Sequence, residues 1–331
     1  MLNYVDTETP GYTRRRRGRY WQYFDCEGHR ITDRDEIDRL NRLGVPPAYT
    51  NVWYCPHANG HLQAVGIDAR GRRQYRYHDE FRSAREADKY DRCLKFGQAL
   101  PAIRAQVEKD LAERGMGKER IVAAIVRLLD VGHIRVGNEA YAAANDSYGA
   151  TTLKTKHSKV SGETVRLEYR GKSGKMQKVA VRDRTLARLV RRCQDLPGQK
   201  LFQYIGEDGE PRPIGSSDVN DYLRAATDDE FTAKHFRTWG ASVIAFETIL
   251  DRKDAGLTMK ELLEPVADAL GNTPAISRKS YVHPRLLDAV KDGRLDLLDG
   301  APLPRDTKYL SGAERGLIAF LEAGEGLKKA A

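Results

Sequence analysis

The chain has 331 residues, 40% hydrophobic and 31% charged, a composition that excludes a disordered chain and, at this length, allows two domains, each with its own core. Its 56 Lys and Arg outnumber 47 Asp and Glu for a net charge of +9, which points to a polyanionic partner, nucleic acid first. No apolar run is long enough to cross a bilayer and "MLNYVDTETPG" lacks a signal-peptide core, so neither a membrane span nor a membrane partner is expected. Cys26, Cys55, Cys93 and Cys193 form no CxxC pair; reduced thiols in an intracellular protein are expected, and a zinc site is not.

Aromatic strands and turn signals fill the first eighty or so residues. The run "RRRRGR" at 14–19 reads as a mobile basic arm. "RYWQYFD" and "NVWYCPHA" read as strands, and Asn59-Gly60 marks a hairpin turn into "HLQAVGID". Arg70-Gly71 then precedes "RRQYRYH", where Gln74, Arg76 and His78 alternate with Tyr75 and Tyr77. Between these strands "DRDEIDRLNRLG" places Ile37, Leu40 and Leu43 at helical spacing and stops at Gly44. Residues 1–84 are therefore expected to form a small β-rich domain with a mostly antiparallel sheet.

From about Ser83 the spacing becomes helical, and a linker between the two domains is expected near residues 80–90. Ile103, Val107 and Leu111 mark one helix, and Ile121, Val122, Ile125, Leu128 and Leu129 a strongly apolar second. "TVRLEYR" alternates, turns at "GKSG" and returns as "KMQKVAV", a hairpin inside a helical region. "FTAKHFRTWGASVIAFETIL" and "TMKELLEPVADALG" read as helices, the latter with Thr258 and Glu261 as a capping box and Gly271 at its end. Thr273 and Pro274 then open a short helix as cap and first helical residue. The expected class is α+β, with a mainly helical domain over residues 85–331.

Several chemistries are absent from the sequence: it has no GxxxxGK[ST] loop and no HExxH. "GKSGK" at 171–175 lies between two strands rather than between a strand and a helix, so it is not a nucleotide loop. What remains is a set of cations at the edges of elements. Arg135 follows the apolar helix, Lys172 sits at the hairpin tip, and Arg237 lies near the start of a helix. Each alone could simply solvate a surface, and Tyr281 alone could be a packing residue. Together they meet the needs of phosphodiester transfer: an in-line nucleophile, cations on the non-bridging oxygens, and an acid for the leaving oxygen. A tyrosine phenol can be the nucleophile, guanidinium groups favour its phenolate, and an ammonium can give up a proton.

These residues resemble a known family. "HIRVGNEAY", "GKSGK", "KHFRTWGAS" and "LGNTPAISRKSYVHP" are similar to the catalytic motifs of type IB DNA topoisomerases, in the compact bacterial and poxvirus-like branch. "RRQYRYH" and "VPPAYTNVWYCP" resemble that branch's N-terminal domain, and the likeness runs from about residue 18 to about residue 290. The resemblance implies that Tyr281 attacks DNA to form a 3′-phosphotyrosyl intermediate and free a 5′-hydroxyl. Arg135 and Arg237 match the phosphate-binding arginines and Lys172 the hairpin general acid. A strand swivels before the nick is resealed, with no metal, ATP or other nucleotide cofactor required.

One position departs from that pattern. The residue nine before the tyrosine, commonly histidine, is Asn272, which can donate a hydrogen bond to phosphate but cannot become cationic. Gln74, Tyr75 and Tyr77 match a DNA-contacting segment, as does Tyr141. The resemblance further implies a monomer that clamps double-stranded DNA, in the cytoplasm at the bacterial nucleoid. A tyrosine recombinase shares this chemistry, but "HFRTWGAS" and the β-rich N-terminal region fit the topoisomerase better. A catalytically silent basic DNA-binding protein would not need the full set of motifs.

Overall fold

A computed structural model of the protein describes residues 1–252, 256–293 and 303–330, with the side chains of residues 87 and 324–330 left out. The chain divides into two units, Met1–Lys89 and Tyr90–Ala331.

The first unit contains β1 (Thr13–Arg17), β2 (Tyr20–Phe24), α1 (Arg34–Arg42), β3 (Thr50–Tyr54), β4 (Leu62–Ile67) and β5 (Arg73–Tyr77). The last three form an antiparallel sheet in sequence order. The basic run at 14–19 is not a mobile arm: most of it is β1, paired antiparallel with β2. Arg14 is tied down by neighbours that sequence spacing does not reveal. The Arg14 guanidinium lies 4.0 Å from the centre of the Trp21 ring and donates to the carbonyls of Val45 at 2.8 Å and Pro46 at 2.6 Å. Tyr23, Leu40, Val52, Tyr54 and Ala64 form the core of this unit, with Tyr23 and Tyr54 packed edge to face.

The segment expected as a linker near 80–90 is helical, part of α2 (Asp79–Ala112). "DEFRSAREADKY" has no Gly or Pro, is rich in helix formers, and places Asp79 and Glu80 in the first turn, where the helix dipole favours them.

The second unit continues with α3 (Lys118–Gly132), α4 (Glu139–Asn145), β6 (Ser158–Ser161), β7 (Thr164–Arg170), β8 (Met176–Arg182) and α5 (Arg184–Gln194). After them come β9 (Gln203–Ile205), β10 (Pro211–Pro213), α6 (Ser216–Thr227) and α7 (Ala233–Arg252), then α8 (Met259–Leu270), α9 (Pro274–Ser280), α10 (Pro284–Lys291) and α11 (Gly312–Ala330). The hairpin is β7–β8, and β6 adds a third antiparallel strand to it. Along β7 the inner face is Val165, Leu167 and Tyr169, all buried, and Glu168 pairs outside with Lys178 at 3.2 Å. Ile121, Ile125 and Leu128 of α3 and Phe236, Ala241 and Phe246 of α7 belong to one core. No described helix is long and apolar enough to cross a membrane.

Candidate active site

The ends of four elements and one loop of the second unit line a cleft of about 190 Å³. Arg135 comes from the loop after α3, Lys172 from the β7–β8 tip, Arg237 from the second turn of α7, Asn272 from the α8–α9 junction, and Tyr281 from the end of α9. The five residues singled out by sequence thus share one cavity. Among the described residues its lining includes Lys175 as a fourth cation and no carboxylate. That imbalance suits a phosphodiester. A larger cavity of about 750 Å³ in the same unit has Glu108, Asp130, Asp183, Asp306 and Glu314 in its wall, alongside Arg104, Arg127 and Lys308. Size favours it; charge favours the smaller cleft for an anionic substrate.

Arg237 is the best-fixed member. It is 4% exposed, and its guanidinium donates to the carbonyls of His133 and, at 3.0 Å, Leu270. His133 caps the C-terminus of α3 and Leu270 is the last residue of α8. Carbonyls at a helix C-terminus lack intrahelical partners and carry partial negative charge, so two helix ends stabilise this buried cation. Burial still lowers its pKa, as does Arg135, while Tyr281 opposes them. The Arg237 Nε is buried with no hydrogen-bond partner.

Tyr281 lies under it, with the Arg237 guanidinium carbon 4.9 Å from the ring centre. The chain here is anchored on both sides. Tyr281 and Val282 both donate their N–H groups to the Ser277 carbonyl, at 3.0 and 3.1 Å, and the His283 N–H bonds Ser242 of α7 at 3.1 Å. Upstream, Thr273 accepts from the Ile276 N–H and Pro274 occupies the first helical position, as the sequence suggests. Burial pushes the Tyr281 phenol up, but the charges of Arg237 and Arg135, with hydrogen-bonding contributions from both, leave it below its usual 10.

Asn272 has both a structural and a site position. Gly271 ends α8 with φ 62°, a conformation that suits glycine, and the Asn272 N–H bonds the Ala267 carbonyl at 2.9 Å. Its side-chain oxygen accepts a long 3.5 Å contact from Arg135, and its amide nitrogen is buried without a partner. Arg135 is positioned by its backbone: the Arg135 and Val136 carbonyls accept from the N–H groups of Ala150 and Thr151 at 2.8 and 2.7 Å. Lys172 is exposed, in a tight turn whose next residue, Ser173, has φ 63°.

The model of the eukaryotic DNA topoisomerase I catalytic core matches residues 78–292, and that of the bacterial DNA topoisomerase IB N-terminal domain matches residues 20–68. The chain belongs to the type IB DNA topoisomerase family. A DNA topoisomerase 1B of Acanthamoeba polyphaga mimivirus is 34% identical over 275 residues, 79% of this chain and 81% of its own. The DNA topoisomerase I of Monkeypox virus is 25% identical over 280 residues, 78% of this chain and 83% of its own. Among solved structures, a XerH site-specific recombinase bound to a palindromic difH substrate covers 58% of this chain and 50% of its own, at TM-score 0.39 and 16% identity. That likeness is too slight to weigh between topoisomerase and recombinase.

The remaining sequence-selected residues of this topoisomerase lie outside the cleft. Gln74, Tyr75 and Tyr77 are on β5 of the first unit, between the two matched ranges. The rings of Tyr75 and Tyr77 are exposed and stack with centres 6.1 Å apart, while Gln74 donates to Asp68 at 2.9 Å. Tyr141 is exposed on α4. Conversely, the cleft lining includes Tyr148, Tyr169, Lys175 and Gln177, none of them selected from sequence. For Tyr169 a signal existed: strand alternation puts it on the inner face with Val165 and Leu167. Lys175 is the second lysine of "GKSGK" and needed the fold of the turn to place it.

Proposed function

We propose that this type IB topoisomerase relaxes supercoiled duplex DNA by transient cleavage of one strand, with Tyr281 as the nucleophile. The observation that carries this reading is a contrast between two tyrosines of one cleft. Burial holds the Tyr169 phenol up at about 12 despite Arg237 and Arg135, whereas the same two arginines hold Tyr281 below 10. Only Tyr281 also gains hydrogen-bonding contributions from both guanidinium groups. It is the tyrosine whose phenolate this environment favours.

In this reading the phenolate oxygen attacks the scissile phosphorus in line. The bond from phosphorus to the 5′-oxygen breaks, leaving the 3′ end esterified to Tyr281, and the departing oxygen takes a proton from the Lys172 ammonium. Arg135, Arg237 and the unpartnered Asn272 amide nitrogen donate to the non-bridging oxygens as charge accumulates there. The severed strand swivels and dissipates torsion. The 5′-hydroxyl, deprotonated by the now neutral Lys172 amine, then attacks the phosphotyrosine and expels the phenolate. One phosphoester replaces another at each step, so bond energy is conserved and no ATP is needed. Gln74, Tyr75, Tyr77 and Tyr141 serve as DNA contacts of a monomer that clamps the duplex, a role that suits the bacterial nucleoid.

The test is relaxation of supercoiled plasmid by the purified protein in EDTA without ATP. Activity is expected, and loss of it on adding EDTA would refute the metal-free route. Tyr281→Phe should abolish the SDS-trapped covalent adduct while duplex binding survives; an undiminished adduct would move the nucleophile elsewhere.

A further inference from the structure

Arg237 and Arg135 reach the cleft from different elements, α7 and the loop after α3, and something must hold these two in register. His133, two residues before Arg135, is placed to do so. It adopts the left-handed conformation, φ 49° and ψ 22°, at a helix end where glycine is the usual occupant. Its carbonyl receives the Arg237 guanidinium. Its ring sits in a notch on α7 that exists because residue 240 has no side chain. A Cβ built on Gly240 would lie 2.5 Å from both Cε1 and Nδ1 of His133. Arg237 and Gly240 are three residues apart, on the same face of one helix. One side of α7 therefore grips His133 twice, by its carbonyl and by its ring.

The wall around the notch is cross-linked by hydrogen bonds. His133 and Gly240 line a third cavity of about 230 Å³ with Arg104, Asp130, Trp239 and Glu314. There the Arg104 guanidinium makes two bonds to Asp130 and two to Glu314, all between 2.8 and 2.9 Å. The Trp239 indole N–H donates to Glu314 at 3.2 Å. The ring has no hydrogen bond holding it: its Nδ1 is buried and unpartnered. Close packing against the bare backbone of Gly240 holds it in the notch.

We propose that His133 is a positioning residue, whose ring, locked against Gly240, sets the spacing of Arg237 and Arg135 and hence the phosphate clamp. The inference rests on the role proposed for those two arginines. Neither His133 nor Gly240 touches DNA in this scheme, so the lock acts on the chemical step and not on affinity.

The experiment measures single-turnover formation of the covalent adduct at saturating duplex, with noncovalent affinity measured in the Tyr281→Phe background. Gly240→Ala drives the ring from the notch and should slow adduct formation about 10- to 100-fold, as displacements of about 1 Å do, with affinity little changed. His133→Gly keeps the left-handed backbone and removes the ring; it should be slower than the parent but faster than Gly240→Ala. The double variant should return to the His133→Gly rate, because the added methyl then meets no ring. A merely structural role would give additive losses. Should Gly240→Ala not fold alone, the His133→Gly background decides: Gly240→Ala is predicted to be silent there, and a further loss overturns the lock. So does His133→Gly cleaving at the parental rate while Arg237→Ala is slow. If Arg237→Ala itself cleaves normally, the reading of the cleft fails and the lock falls with it.

Discussion

Two parts of one cleft are built on opposite plans. Its floor, Arg237 and Tyr281, is buried; the Arg237 guanidinium donates to carbonyls at two helix ends, and the His283 N–H just after Tyr281 donates to the Ser242 hydroxyl on α7. Its rim, Lys172, stands exposed on a tight turn of the β7–β8 hairpin. The floor carries the cost of desolvating a cation before any substrate arrives, and two helix C-termini offset it. A guanidinium fixed in this way needs no rearrangement as phosphate charge develops, which is the condition for electrostatic preorganisation. The acid must instead follow a departing oxygen, and a solvated, adjustable ammonium suits that motion. In the proposed reaction, fixed charge below and an exposed acid above divide the work between them.

Removing the floor should break this comparison most severely. Arg237→Ala is expected to slow cleavage by about 10³- to 10⁵-fold, the range an arginine supplies to a phosphoryl-transfer transition state. It should also change the pH profile. Burial raises the Tyr281 phenol and Arg237 is the largest influence lowering it, so the parent's cleavage rate should climb with pH and level off below pH 10. Without Arg237 the levelling should move upward, since the charge favouring phenolate is lost and burial remains. An unchanged midpoint in single-turnover rates would show that the guanidinium does not tune the nucleophile. At the rim, Lys172→Ala should cost about 10²- to 10⁴-fold, the usual span for a general acid. Substituting sulfur for the 5′-bridging oxygen gives a leaving group that needs no proton and should restore most of that loss. If sulfur rescues Arg237→Ala equally well, the division between clamp and acid is wrong.

The sequence pointed to this cleft because the candidate residues lie at element boundaries that have local signals. A capped helix start at Thr273-Pro274, an αL glycine at 271 and an alternating hairpin around "GKSG" are local signals, and each is present in the structure. Long-range contacts were not legible. "RRRRGR" has the composition of a mobile arm, and its strand depends on Trp21 and on carbonyls some thirty residues away. The helical start of α2 was readable in its helix formers, where a linker between two domains was expected instead. The carbonyls around Arg237 and the notch at Gly240 required tertiary structure, since nothing in "HFRTWGAS" says that "GHIRVG" lies against it.

The smallest effect is expected at Asn272, between floor and rim in character. Its backbone belongs to the helix junction, while its side chain offers the cleft one buried donor and a weak 3.5 Å contact to Arg135. A neutral amide donating to phosphate is worth less than a charged donor by about 1 kcal/mol, or about fivefold in rate. Asn272→His should therefore accelerate cleavage by that factor only where imidazole is protonated. Arg135, in contact with this position, disfavours a second cation, so the gain should appear below the usual imidazole pKa of about 6.5 and vanish above it. Asn272→Ala removes the donor and should slow cleavage by a similar factor without that pH dependence. The pair separates the two contributions: a gain with histidine at all pH values would point to geometry rather than charge, and parental rates in both variants would mean that this corner donates nothing to the transition state.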